Sequence, residues 1–376
     1  MSLLTTAAVL FRPGEAFRIE EVELESPGPN EVLVRVLSSG LCHSDWNAAS
    51  GASATALPAV LGHEGSGIVE EIGALVSTVS AGDTVGLSWM PACGSCRYCA
   101  RGSPELCEGA LDKMVAGTLP SGAKRLRCKG EHLHHYSYLS TFARHAVVDE
   151  RSCVVLPAGT DPEIAAIVGC AVMTGFCAVV NRAKVAPGSC VAVFGAGGVG
   201  LSAVMGARLS GAELIVAVEP VASRRALALE VGASSVLDPN SCDAPAEIVA
   251  LTKGGADYAF EAAGVCDLVT QAFSATRPGG TVVAVGVPPD GSFVSLPAPE
   301  LVRSERTLTG AFYGSARPAL DMPLILRLYA EGRLPLGKLV GKRYRLDQLN
   351  EAFAQMHSAT GARSLVDLRD PLPSPR

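Results

Sequence analysis

Three groups of residues in this chain of 376 amino acids have types and spacings suited to chemistry. The first is Cys93-x-x-Cys96-x-x-Cys99 followed by Cys107, interleaved with Gly94, Ser95 and Gly102. Four thiols so spaced can wrap one tetrahedral ion. A sphere closed by four thiolates leaves no vacancy for water, so a structural zinc is expected. An iron–sulfur cluster is the rival, since four thiolates also hold one, but it needs an electron path that nothing else in the chain suggests. Left bare, clustered exposed thiols would oxidise.

The second group is Gly195-Ala-Gly197-Gly198-Val-Gly200, with Glu219 further on. Glycines there permit a tight turn and let backbone N–H groups approach a pyrophosphate, whose charge the start of the following helix favours. An acid about 20 residues on suits a ribose diol and repels a 2′-phosphate, which predicts NAD over NADP. The third group is dispersed: Cys42-His43-Ser44-Asp45, Gly62-His63-Glu64 and Gly169-Cys170. Taken singly, each fits a core cysteine or a satisfied histidine.

The elements that must position these residues follow two periods. Up to about residue 170, short alternating stretches such as Glu31–Leu37 and Gly67–Ile72 are separated by Gly and Pro turns, which predicts an antiparallel, barrel-like β region. From about 172 to 308 the strands Cys190–Phe194, Leu214–Val218, Ser235–Leu237, Asp257–Ala259 and Thr281–Gly286 alternate with the helices Val199–Ser210 and Ser223–Val231. That alternation predicts βαβ units and a doubly wound parallel sheet, hence an α/β fold. Helices at Met322–Glu331 and Leu346–Met356, a closing strand Ser364–Asp367 and a frayed Pro371–Arg376 complete the expectation.

Taken together, these residues resemble the zinc-dependent medium-chain alcohol dehydrogenases, in the branch that holds the liver-type and formaldehyde-oxidising enzymes. The resemblance runs from about residue 7 to 368. It is carried by Gly62-His63-Glu64-Gly65-Ser66-Gly67, the four-cysteine lobe, Gly169-Cys170 and the turn Gly195–Gly200. It implies a GroES-like, β-rich catalytic domain over 1–171 and 309–376, interrupted by a Rossmann NAD-binding domain over 172–308. It also implies two zinc ions per chain, the catalytic one on Cys42, His63 and Cys170 with an open fourth position. Glu64 would sit behind that metal and Asp45 would orient His63. Such a zinc lowers the pKa of a bound alcohol, and the resulting alkoxide passes a hydride to NAD.

By the same resemblance, Ser44 takes the alcohol proton. The family's next carrier, a histidine, is replaced by Asn47, which does not titrate, so the last relay step must differ here. His43 and Arg363 match groups near the pyrophosphate and Arg224 a cation beside the adenosine ribose, while Val199 and Thr174 flank the nicotinamide. On the substrate side, Trp89 matches an aromatic wall, Tyr136 lies on a channel-lining stretch, and Ser53 stands where an apolar side chain is common. The expected substrate is a primary or flat aromatic alcohol, interconverted with its aldehyde. A thiol-adduct (formaldehyde-type) dehydrogenase is the alternative; the basic patch Lys124, Arg125 and Arg127 reads by default as a solvated face, though an anionic thiol adduct could use it. A non-catalytic family relative is the third reading. His132, His134 and His135 are expected as loop and pocket-rim polarity.

Composition narrows the class further. A net charge of −6 offers no field for nucleic acid. The mean hydropathy of +0.30 raises the question of a membrane, yet no apolar run is expected to reach the ~18 residues of a spanning helix. Met1–Gly14 reads as no secretory leader, so the 12 cysteines are expected as reduced thiols or metal ligands in a cytoplasmic protein. The apolar strand Thr281–Gly286, followed by Pro288-Pro289-Asp290, resembles the family's edge-pairing region and implies a homodimer.

Overall fold

A computed structural model describes residues 2–356 and 362–369. The expected fraying of Pro371–Arg376 lies outside them.

Among the described residues the strands form three sheets. One is built around the hairpin Leu3–Leu10 and Arg18–Leu24, joined by Leu126–Cys128 on one side and by Ala59–Val60 and His134–His135 on the other. The second centres on Glu31–Gly40. It pairs with Gly65–Ile72, His145–Asp149 and, from the far end of the chain, Arg363–Asp367. All three partners run antiparallel to it, and its residues are nearly all buried because both of its faces are covered.

The third sheet is wholly parallel. Its order is Ser235–Leu237, Leu214–Val218, Cys190–Phe194, Ala256–Glu261, Thr276–Ala284, Thr307–Gly310. That is the doubly wound order with its reversal at Cys190–Phe194, the place where such sheets open a crevice for a dinucleotide. Its central strands Cys190–Phe194 and Leu214–Val218 read as unbroken apolar runs because helices cover both faces. Phe194, Val216, Ile248 and Phe273 fill one side, while Val191, Val193, Leu201 and Phe260 join the large core shared with the β-rich half.

Three expectations need correction. Thr281–Gly286 is not an edge; Thr307–Gly310 pairs outside it and takes that place, so the junction expected at 308/309 falls inside a strand. A helix missed in the sequence spans Pro162–Ala183, 22 residues, and is apolar enough to cross a membrane. It is almost wholly buried and serves as the axle on which the two halves pack. Its start is fixed by Asp161, whose carboxylate accepts from the Glu163 N–H, and by Pro162 at the first helical position. Finally, His135 is a buried strand residue rather than pocket-rim polarity.

Candidate active site and metal centres

The dispersed residues converge. Cys42 closes the end of Glu31–Gly40 and caps the helix His43–Ser50; its N–H is held by Asp45 Oδ2 at 3.1 Å. His63 and Glu64 lie just before the strand Gly65–Ile72, and Cys170 projects from the buried helix. Ligand atoms of Cys42, His63, Glu64 and Cys170 all lie within 4.8 Å of one another, and all four residues are buried. His63 Nδ1 is 3.0 Å from Asp45 Oδ1, which leaves its other nitrogen for the cluster.

The electrostatics are those of a cation site. Hydrogen bonding with Cys170, helped by Arg363 and His63, holds the Cys42 thiol well below its ordinary range. The same contact and burial push Cys170 well up. Burial disfavours the His63 imidazolium, but Asp45 and Cys42 outweigh it and raise its pKa. Burial lifts Glu64 to about 7 against the pull of Arg363. Both Glu64 oxygens are buried without an aligned hydrogen-bond donor. Two thiols and an imidazole beside a buried carboxylate in one cluster fit a zinc ion. Glu64 Oε1 is paired with Arg363 Nη2 at 3.1 Å.

Arg363 links this cluster to the glycine turn. It donates to the Leu41 carbonyl at 2.8 Å, and its Nε, buried without a hydrogen-bond partner, lies 3.3 Å from where a Cβ on Gly198 would stand. The turn has the form a phosphate cradle needs. Gly195 has φ +93°, and a Cβ on Gly200 would fall 1.8 Å from the Gly195 carbonyl oxygen, whereas Gly197 faces open space. Glu219 accepts from the N–H groups of Ala196 (2.8 Å) and Val221 (3.0 Å), which fixes the turn. Open space at Gly197, the free Arg363 Nε and the N-terminus of the helix Gly198–Leu209 together fit an anionic dinucleotide.

Other expected residues fall around this axis. Ser44 is exposed, with Oγ 3.8 Å from Cys42 Sγ, and Asn47 follows one turn later on the same helix face. His43 opens that helix, also exposed. Tyr136 donates to the Ser44 carbonyl at 3.0 Å, and its ring stands 5.8 Å from that of His63. Ser53 follows the helix, its N–H on the Asn47 carbonyl at 3.1 Å. Trp89 is buried against Tyr313 and Phe312, at 4.2 and 5.4 Å between centroids. Thr174 lies one turn beyond Cys170, and the next residue, Gly175, touches Val199: a Cβ there would be 2.0 Å from the Val199 carbonyl. Arg224 leaves Nε buried without a hydrogen-bond partner. Its neighbour Arg225, passed over in the sequence, carries the local bonds instead, to the Glu219 and Pro220 carbonyls and to Asp238 at 3.0 Å.

The second centre is local. Ligand atoms of Cys93, Cys96, Cys99 and Cys107 also lie within 4.8 Å of one another. The Cys96 N–H points at Cys93 Sγ (3.3 Å) and the Cys93 N–H at Cys107 Sγ (3.1 Å). Backbone N–H groups of Ser95 and Cys96 bring the Cys93 thiol down to about 6, while burial lifts Cys99 to about 12. The basic patch has acidic partners: Arg125 pairs with Glu31 at 2.8 Å and Glu25 at 3.4 Å, Arg127 with Glu25 at 3.0 Å, and Lys124 lies 3.3 Å from His134 Nε2.

Comparison with known proteins decides the family. The family described as the alcohol dehydrogenase GroES-like domain matches residues 28–158, and that described as zinc-binding dehydrogenase matches 198–331. An NDMA-dependent alcohol dehydrogenase of Amycolatopsis methanolica is 38% identical over 96% of this chain and 98% of its own. The chain belongs to the zinc-dependent medium-chain alcohol dehydrogenases. Among solved structures, an alcohol dehydrogenase zinc-binding domain protein from Burkholderia ambifaria shares 38% identity with a TM-score of 0.94, covering 98% of this chain and all of its own. The benzyl alcohol dehydrogenase of Acinetobacter calcoaceticus shares 33% identity with a TM-score of 0.93, covering 97% and 99%. Membership makes the chain an oxidoreductase of the alcohol dehydrogenase type, with zinc and a nucleotide as its cofactors.

Proposed function

We propose that the protein is an NAD-dependent alcohol dehydrogenase that interconverts primary or flat aromatic alcohols with their aldehydes. The observation that carries this reading is the convergence of Cys42, His63 and Cys170 beside an arginine that also touches the glycine turn. Those three residues would hold the catalytic zinc, and Cys93, Cys96, Cys99 and Cys107 a structural one. When bound, zinc acidifies an alcohol and the nicotinamide accepts its hydride.

The chain's own groups do the rest. Asp45 orients His63, and Ser44, exposed beside Cys42, takes the alcohol proton. Asn47 cannot carry that proton by titrating, so water or another group completes the relay. Arg363 and the glycine turn position the pyrophosphate, with His43 nearby and Arg224 beside the ribose. Glu219, already turned into the cofactor loop, favours the ribose diol of NAD over a phosphorylated ribose. Val199, whose carbonyl packs on Gly175, and Thr174, the residue before that glycine, would flank a nicotinamide. Trp89, Tyr136 and Ser53 shape the alcohol pocket.

The likeness to a benzyl alcohol dehydrogenase supports an aromatic substrate. The pairing of Arg125 and Arg127 with Glu25 and Glu31 argues against an anionic thiol-adduct anchor. One second reading has an observation in its favour: turnover that depends on NDMA, as in the Amycolatopsis methanolica relative. We further propose a homodimer, joined along Thr307–Gly310 and the exposed Val287, Phe293 and Val302, working in the cytoplasm, where 12 cysteines with no disulfide would be at home. The test is one panel: benzyl, linear and branched alcohols with NAD, NADP or NDMA, with metal content measured on the same sample. NADH formation fastest on benzyl alcohol, with two zinc ions per chain, is expected. No turnover with any acceptor by the zinc-loaded protein would overturn the reading.

A further inference from the structure

A buried relay of hydrogen bonds reaches the Cys170 turn from the far side of the molecule. Tyr313 follows the edge strand Thr307–Gly310 of the parallel sheet and is 2% exposed. Its phenol donates to the carbonyl of Gly169, the residue before Cys170. A phenol has one proton, so the Ser88 hydroxyl, 3.2 Å away, donates to Tyr313. Ser88 Oγ in turn accepts from the Met90 N–H at 3.3 Å. Gly169 is pressed from another side as well: a Cβ there would stand 2.4 Å from the Leu87 carbonyl oxygen. The stretch Leu87–Met90 and Tyr313 therefore clamp the peptide that delivers Cys170.

The turn needs such a clamp. Over Val168–Val172 the buried helix widens, so that Met173 N–H reaches back five residues to Val168. Such bulges shift a helix's register and gather at functional sites. The clamp itself is held in a costly shape. Tyr313 and Ser315 have φ of +52° and +56°, a conformation that non-glycine residues rarely adopt. Between them Gly314 packs so closely that a Cβ would fall 2.3 Å from the Thr174 carbonyl.

We infer that Tyr313 is a positioning residue for the catalytic metal, fixing where the Cys170 thiolate stands and tying that position to the edge of the cofactor sheet. The inference rests on the zinc dehydrogenase reading above. The test uses the zinc-loaded full chain and its Tyr313→Phe variant, which keeps the ring and removes only the hydroxyl. Release of zinc to a coloured chelator is followed over time, and the visible spectrum is recorded after cobalt replaces zinc. In the variant one zinc per chain is expected to leave about tenfold faster while the other keeps its rate, in line with the loss seen when groups behind metal ligands are removed. The cobalt–thiolate band shifts, and Ser88→Ala moves both readouts the same way by less. Unchanged release and an unchanged cobalt band in a folded variant overturn the inference, as does equal acceleration at both sites, which marks general loosening. If the parent protein carries a single zinc that Cys42→Ser does not remove, the dehydrogenase reading fails and takes this one with it.

Discussion

The two metal centres solve one problem in opposite ways. The lobe gathers Cys93, Cys96, Cys99 and Cys107 from fifteen consecutive residues, with its own backbone N–H groups aimed at the sulfurs. The other centre draws Cys42 from a helix cap, His63 from the approach to a strand and Cys170 from a buried helix. A local site exists once a short loop closes. A dispersed one exists only when the whole β-rich half is folded. The lobe should therefore govern the stability of its own loop, while the dispersed centre should govern chemistry.

The sharpest way to break that contrast is His63→Ala. It removes a ligand from a cluster with no chemical duplicate, and a Lewis acid contributes several kcal/mol to such a reaction. Turnover should fall about a thousandfold or more, with zinc dropping from two to about one per chain and circular dichroism unchanged. Retained turnover would mean that the cluster is not the catalytic centre. Cys99→Ser should give the converse pattern. The lobe's zinc is lost, and a stability cost of about 3 kcal/mol would lower the melting temperature by about 4 °C. Activity per folded molecule should fall less than about tenfold. Turnover abolished in a fully folded Cys99→Ser protein would erase the distinction.

The glycine turn allows a finer cut between shape and function. Gly200→Ala drives a methyl into the Gly195 carbonyl and should disrupt the turn itself. Gly197→Ala meets no protein atom, so the fold should persist while the methyl takes the place kept for phosphate. Its NAD dissociation constant, read by fluorescence titration, should rise about tenfold, or about 1.4 kcal/mol. Unchanged NAD binding would show that the turn is not the cradle.

The same contrast explains what could be read from the sequence. The lobe and the glycine turn are local, so residue types at fixed spacing nearly specify their geometry, and the parallel strands show as short apolar runs. Cys42, His63 and Cys170 lie too far apart for spacing to join them, and only the family resemblance brought them together. The helix Pro162–Ala183 escaped because a helix buried all round has no polar face, and the 3.6-residue period vanishes with it. The acidic partners of Arg125 and Arg127, Glu25 and Glu31, could not be read from the sequence because they lie about a hundred residues away. Tyr313 gave no signal, since its role lies in a hydrogen bond to a carbonyl 144 positions earlier.

The smallest effect concerns a residue outside both centres. His135 sits in the strand beside Ala59–Val60, which leads into His63. Burial, reinforced by Arg125, His134 and Lys124, takes its pKa down to about 3. The sign follows from which state binds the proton. Above about pH 6.5 His135 is neutral in both states and contributes no slope. Below that the unfolded chain takes up a proton that the folded one refuses, so stability falls as pH drops, down to about pH 3, by at most about 1.4 kcal/mol per unit. His135 Nε2 accepts from the Arg125 N–H at 3.1 Å, and a glutamine carbonyl can replace that acceptor without titrating. His135→Gln should therefore flatten the stability curve between pH 6 and 4, measured by urea unfolding. A slope identical to that of the parent protein would mean that His135 takes up its proton in the folded state, and that the dispersed centre's neighbourhood is more open to water than its burial implies.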